Sequence, residues 1–335
     1  MGVGVSLHRL AGTVASEGGI GIISTADIGF QEPDFKQSPE QANFRALKKE
    51  IAMARKISGN GILGVNIMYV CADYNETVKE AVRNNIDLII SGAGLPLNLP
   101  ELVSEKTAIA PIVSSARALR LICRRWKKNY NRLPDLVIVE SAEAGGHLGF
   151  SFEELADGNK TLEEISAEVI SLTKEIGSEN NTEIPVIVAG GIYDKNDIEH
   201  YISLGADGVQ MATRFVVTEE CDASPEFKNA YINAGKSDIE IIHSPVGMPE
   251  RAISNAFLEK VRNAREKITH CTGCLKACHV KEAPYCITEA LIRAVKGDTE
   301  NGLIFCGSNV SRIHEITTVK KLLQELFPKE MPVLA

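Results

Sequence analysis

The stretch Glu140-Ser141-Ala142-Glu143-Ala144-Gly145-Gly146-His147 opens with an acid and closes on two glycines and an imidazole. Histidine takes or gives a proton near neutral pH. Gly145 and Gly146 let backbone N–H groups come close to a ligand. A lone histidine after a turn is more often a surface residue than a catalyst. What decides is where the chain's strands place it.

A second constellation is AGGI at 189–192 followed by GADGVQMATRF at 205–215. Gly190 and Gly191 offer backbone donors, and Thr213 offers a hydroxyl just where a helix can start. That is the donor set phosphate oxygens need. One Gly-Gly pair is common in α/β loops; two such loops in this order say more. No G-x-G-x-x-G fingerprint follows the first strand, which puts flavin mononucleotide (FMN) ahead of a cofactor bound in the Rossmann manner.

The third group is Cys271, Cys274, Cys278 and Cys286, with His270 and His279 alongside. Thiolates so spaced could hold zinc or an iron–sulfur cluster. They could equally be reduced thiols packed as small hydrophobes. The spacing matches neither a zinc finger nor a ferredoxin motif, so the four are metal candidates and no more.

Positioning these groups requires a frame. Short apolar runs at 21–24, 63–67, 88–91, 109–113, 136–139, 186–189 and 208–211 read as strands buried on both faces. Between them lie helical stripes: Phe44, Leu47, Ile51 and Ala54, then Leu119, Ile122 and Trp126. Asp194 stands as the cap of a helix over 194–204. Trp126 reads as packing, and Lys127, Lys128 and Arg132 as a solvated face.

Strand–helix alternation points to a parallel α/β fold. The strand ends carry Ser24, Asn66, Ser91, Ser114, Glu140, Gly190 and Gln210, one after another. A closed barrel gathers all such ends around one site, whereas an open sheet uses only its switch point. The expectation is a TIM-type (β/α)8 barrel over 1–215, a mainly helical cap with the cysteines over 216–310, and a returning helix over 311–335. The count is one strand short: the chain opens on a helix with the stripe Leu7, Leu10, Ala11, Val14 and Ala15.

With 335 residues, 44% hydrophobic and 24% charged, and a net charge of −8, the chain sits in the soluble globular range. Scattered charge without a basic block argues against nucleic-acid and anionic-membrane partners. No run has the length of a membrane span or the shape of a secretion signal. A cytoplasmic enzyme acting on a small molecule is the expectation.

Taken together, MGVGVSLHRLAGTVASEGGIGIIS, GVNI, GAGLP, ESAEAGGHLG, VIVAGGI, GVQMATRF and SPVGMPERA resemble the nitronate monooxygenase family, once called 2-nitropropane dioxygenases. That family includes the flavin-type enoyl-ACP reductases, and the resemblance covers nearly the whole chain. It implies an FMN barrel with Met1 and Gly2 against the flavin. The cofactor would be held by Asn66, the Ala189, Gly190 and Gly191 loop, and Gln210, Met211, Ala212 and Thr213. Ser24, Gly92, Glu140, Gly145 and Gly146, at the other strand ends, complete the candidate wall.

His147 matches the family's catalytic histidine. Ala212 stands where the family has glycine, which keeps the threonine. Members also have a strand ending in Gly-Gly before this Met, so an in-frame strand is expected in the DNA upstream. The leading function is FMN-dependent oxidation of alkyl nitronates with O2. The alternatives are NAD(P)H-dependent reduction of enoyl thioesters or quinones, and a non-catalytic flavin or metal sensor.

Overall fold

A strand buried between a barrel interior and a helix layer needs apolar residues on both faces, and all seven apolar runs meet that requirement. The computed structural model describes residues 2–328 apart from Asn159 and Val246. Met1, which the resemblance sets against the flavin, lies outside the described residues.

In chain order the elements are α1 (His8–Ser16), β1 (Gly21–Ser24), α2 (Pro39–Ser58), β2 (Leu63–Met68), α3 (Tyr74–Arg83), β3 (Leu88–Gly92), α4 (Leu99–Leu102), β4 (Ala108–Val113), α5 (Ala116–Tyr130), β5 (Val137–Glu140), β6 (Gly146–His147), α6 (Phe152–Asp157) and α7 (Leu162–Asn180). Then come β7 (Val186–Ala189), α8 (Lys195–Ser203), β8 (Gly208–Gln210), α9 (Thr213–Val216), α10 (Pro225–Asn233), β9 (Ile239–His243), β10 (Pro249–Ile253), α11 (Ala256–Asn263), α12 (Ile287–Val295) and α13 (Val319–Leu326).

The main sheet is parallel throughout and runs β1-β2-β3-β4-β5-β7-β8. Neighbours in sequence are neighbours in space, the order of a (β/α)8 barrel with seven of its eight staves. Outward residues such as Val65, Ile89, Val137 and Val188 are fully buried against helix stripes that include Leu47, Ile51 and Leu119. Each such side chain contributes about 1.5–3 kcal/mol by leaving water. Trp126 is fully buried too and donates from its indole N–H to the Pro96 carbonyl (3.0 Å), a packing role as expected.

Among the described residues β1 and β8 do not pair with each other, so the ring is open along one seam. Ser6 covers part of the β1 edge. Its carbonyl accepts from Ser24 N–H (2.9 Å), and its hydroxyl donates to the Ile22 carbonyl (2.7 Å). Across the seam lies α13, packed against both α1 and α8. A two-pronged ion pair between Arg214 and Glu325 (2.8 and 2.9 Å) ties it to α9.

Local caps fix most helix starts. Asp194 accepts from the N–H groups of Asn196 and Asp197, as its position predicts. The first helix has no cap of its own. Instead the Asp222 carboxylate accepts from Leu7 and Leu10 N–H (2.8 and 3.2 Å).

One expectation needs correction. The 216–310 region holds α10, α11 and α12, but also β9 and β10. These form an antiparallel sheet in the order β6-β10-β9, with β6 supplied by the 140–147 loop. The stretch at 249–253 reads as part of a helix in isolation. It is a strand because β9 gives it a ladder along its whole length, to which Gly146 and His147 add a second on the other side. No helix among the described residues is long and apolar enough to cross a membrane.

Candidate active site

The C-terminal ends of the strands open into a cavity of about 1350 Å³ that continues into the barrel interior and towards the seam. Its wall brings together Gly2, Asn66, Gly92, Glu140, Gly145, Gly146 and His147 from the first half of the chain. From the second half come Ala189, Gly190, Gly191, Gln210, Met211, Ala212 and Thr213. Ser24 is the exception among the described candidates. It is buried beside Ser6 at the β1 edge and does not line the cavity.

Gly190 and Gly191 follow β7 with φ of +89° and +82°, a backbone that side chains rarely tolerate. A Cβ on Gly190 would lie 2.5 Å from Ser141 Oγ, and one on Gly191 would overlap the Glu143 carboxylate. Opposite stands Thr213 at the start of α9, its hydroxyl close against Gly307. Ser308 donates to the Glu143 carboxylate (3.2 Å), and Asn309 Nδ2 donates to the Gly191 carbonyl (2.6 Å). The result is a cradle of glycine backbone and hydroxyls at a strand end. It suits a phosphate. The Glu143 carboxylate, against Gly191, opposes an anion there.

His147 is the second residue of β6 and pairs in register with Glu250 of β10. Its Nε2 lies 2.8 Å from Glu250 Oε1; the histidine side chain is 10% exposed and the glutamate 0%. The contact is an ion-pair distance and not an aligned hydrogen bond: neither Nε2 nor either Glu250 oxygen has a well-aligned hydrogen bond to any described residue, each other included. The Phe305 ring sits edge-on to the imidazole, with centroids 5.9 Å apart. Burial pushes the Glu250 carboxyl above the usual carboxylate range, with His147 opposing the shift. Arg251, next in the strand, donates to the Ala142 and Ala144 carbonyls and so holds the loop that carries His147.

Glu140 ends β5 on the cavity wall. Burial raises its pKa to about 7, against the pull of His147. Asp27, in the loop after β1, is raised to about 6 by burial and accepts from Thr288 Oγ1 (2.7 Å). Both are acids poised near neutrality at one opening.

The cysteines do not form a centre. Among the described residues no three His, Cys, Asp or Glu side chains gather as a metal would need. Cys271 is exposed, and of the four only Cys274 reaches the cavity wall. Cys274 and Cys278 pack around an apolar cluster that includes Leu275 and Phe257. Burial pushes the Cys274 thiol up to about 12, so it stays protonated and inert.

Sequence reasoning missed Glu250, Arg251 and the 305–309 segment. Glu250 carries one signal: an acid and an arginine side by side in a short strand whose other residues are Pro249, Ala252 and Ile253.

A family model described as nitronate monooxygenase matches residues 1–329. A probable nitronate monooxygenase of Staphylococcus saprophyticus is 31% identical over 58% of this chain and 54% of its own length. The chain thus spans about half the length of that relative. A dehydrogenase of Mycobacterium tuberculosis, named for an octahydro-indene-carboxyl-CoA substrate, is 24% identical over 95% of this chain and 88% of its own. Among solved structures, FabK from Thermotoga maritima superposes with a TM-score of 0.72 at 27% identity, covering 96% of this chain and 88% of that one.

Proposed function

This chain belongs to the nitronate monooxygenase family and is a flavin-dependent oxidoreductase; on that premise we propose that it oxidises alkyl nitronates, with FMN and O2, to a carbonyl compound and nitrite. The observation that carries this reading is His147, an imidazole on the cavity wall whose far nitrogen meets a sealed carboxylate. Bound flavin supplies electron transfer from substrate to O2, chemistry that side chains lack.

The chain's own residues bind, orient and handle protons. Gly190, Gly191 and Thr213 take the phosphate end of the cofactor through backbone donors and a hydroxyl. Asn66 and Gln210 offer amide groups from facing strand ends. His147 holds or takes a proton at the carbon that bears the nitro group. Once protonated, it offsets charge on the nitro oxygens. Phe305 shields the imidazole from bulk water.

The test is the flavin spectrum of FMN-reconstituted protein without oxygen, with a nitronate in one cuvette and NADH in another. Bleaching by the nitronate is the expected result. Bleaching by NADH alone overturns it in favour of a second reading, NAD(P)H-dependent reduction of enoyl thioesters or quinones. One observation supports that reading: the Mycobacterium tuberculosis relative is named for an acyl-CoA substrate.

A further inference from the structure

Phosphate sites commonly set a guanidinium or an ammonium against the anion, because a charged donor returns most where a charged group leaves water. Among the described residues no Lys or Arg side chain lines this cavity, whereas Glu140 and Glu143 do. The cradle thus offers neutral donors alone. The N–H groups of Gly190 and Gly191 have no hydrogen-bond partner among the described residues, and Thr213 adds a hydroxyl at the start of α9.

Glu143 stands over the same donors. Its carboxylate fills the place that a Cβ on Gly191 would take, so it shares that face of the loop. It is exposed, and it lines the cavity. Ser308 Oγ donates to the carboxylate (3.2 Å) and Ser308 N–H donates to the Glu143 carbonyl (3.1 Å). Both ends of the residue are thereby tied to the segment that closes on the cradle. No cation among the described residues forms an ion pair with it. Arg251, whose charge Glu143 feels, directs its donors to the Ala142 and Ala144 carbonyls instead.

A phosphate monoester carries about −1.5 to −2 near pH 7. Bringing it beside a carboxylate in a partly wet site costs about as much as a neutral hydrogen bond or two returns. We propose that Glu143 is a residue of cofactor specificity: it opposes the FMN phosphate and so narrows the chain's preference for FMN over riboflavin. The inference rests on the phosphate lying at Gly190 and Gly191, as proposed above. Riboflavin isolates the effect, since it shares the ring and the ribityl chain and lacks the phosphate.

The experiment titrates the flavin-free chain with FMN and with riboflavin, reading flavin fluorescence. It compares wild type, Glu143→Gln, Glu143→Asp and Glu179→Gln. Glutamine keeps an acceptor for Ser308 and loses the charge; aspartate keeps the charge and shortens the reach. Glu179, on the exposed face of α7, gives the same change of net charge away from the cavity.

Glu143→Gln should tighten FMN by about three- to tenfold and leave riboflavin within about twofold. The gain should shrink on going from about 20 to about 500 mM salt, because an exposed repulsion is screened. Glu143→Asp and Glu179→Gln should each bind both flavins within about twofold of wild type. Equal shifts for the two flavins, or weaker FMN binding by Glu143→Gln, overturn the proposal. So does a matching gain in Glu143→Asp, which assigns the effect to the Ser308 contact, or in Glu179→Gln, which assigns it to net charge. If wild type binds neither flavin, the cofactor reading fails and the proposal with it; if both bind and Glu143→Gln treats them alike, only the proposal fails.

Discussion

Two glutamates flank the same histidine under opposite conditions. Glu140 ends a barrel strand and faces the cavity, where a ligand can reach it. Glu250 sits in a lateral strand behind the ring, sealed from solvent and from the cavity. Burial raises both acids and His147 opposes both shifts. Yet only Glu140 can exchange its proton with a substrate or with water in the site. The difference teaches that a pKa shift alone does not mark a catalytic group. Which face of the histidine the acid meets decides whether it can take part in chemistry or only in placement.

The sharpest way to break this comparison is to remove the group both acids address. His147→Asn should lower turnover by about 10²- to 10⁴-fold, the usual worth of a positioned acid–base group. Flavin should stay bound, as read by absorbance after gel filtration. Unchanged turnover would return His147 to a turn residue and leave the two acids with nothing to share.

A smaller effect is expected from Glu140→Gln. The Glu140 carboxyl has an ordinary value of 4.5 and is raised to about 7 in the folded chain. The folded state therefore holds the proton more tightly than the unfolded state. The stability this gives is present below about pH 4.5 and is lost as pH rises through 7. Thermal melts from pH 4 to 8 should show wild type losing Tm relative to Glu140→Gln across that window. Parallel curves would mean that Glu140 is better solvated than its place suggests.

The smallest effect should come from the sealed side. Tyr285 is a buried tyrosine whose hydroxyl lacks a partner among the described residues, and Glu250 pushes its pKa further up. Removing an unpaired buried hydroxyl is near neutral, within about 1 kcal/mol. Tyr285→Phe should leave both urea midpoint and turnover almost unchanged. A large loss would show that the hydroxyl serves Glu250 directly, and the sealed side would then be a network of three.

The barrel half of the molecule was legible because its signals are local. Seven apolar runs, the Asp194 cap and the glycine loops each act within a few residues, and all appear where the sequence puts them. The count of seven runs was one short of a closed ring, in keeping with β1 and β8 not pairing among the described residues. The lateral sheet was not. Gly146 and His147 are too short a segment to announce a strand, and 249–253 pairs along its length with β9 and at two residues with β6, the latter across about a hundred residues. Glu250 was hidden for the same reason. An acid between Pro249 and Arg251 reads as surface until the ladder sets it against His147. Ser24 also stands at a strand end, but it is buried and does not line the cavity, whereas Ser6, Ile22 and Thr25 around it do.

The helix that opens the chain also has a consequence for the order of assembly. Its first turn is capped by Asp222, and α13 packs along it at the other end of the sequence. During synthesis α1 emerges some two hundred residues before its cap, and its packing partner comes later still. Contacts of such separation slow folding, because a long loop must close before they form. The strands from β2 to β7 can pair with their neighbours as they arrive. A helix made well before its cap and its partner is among the last elements to be held in place.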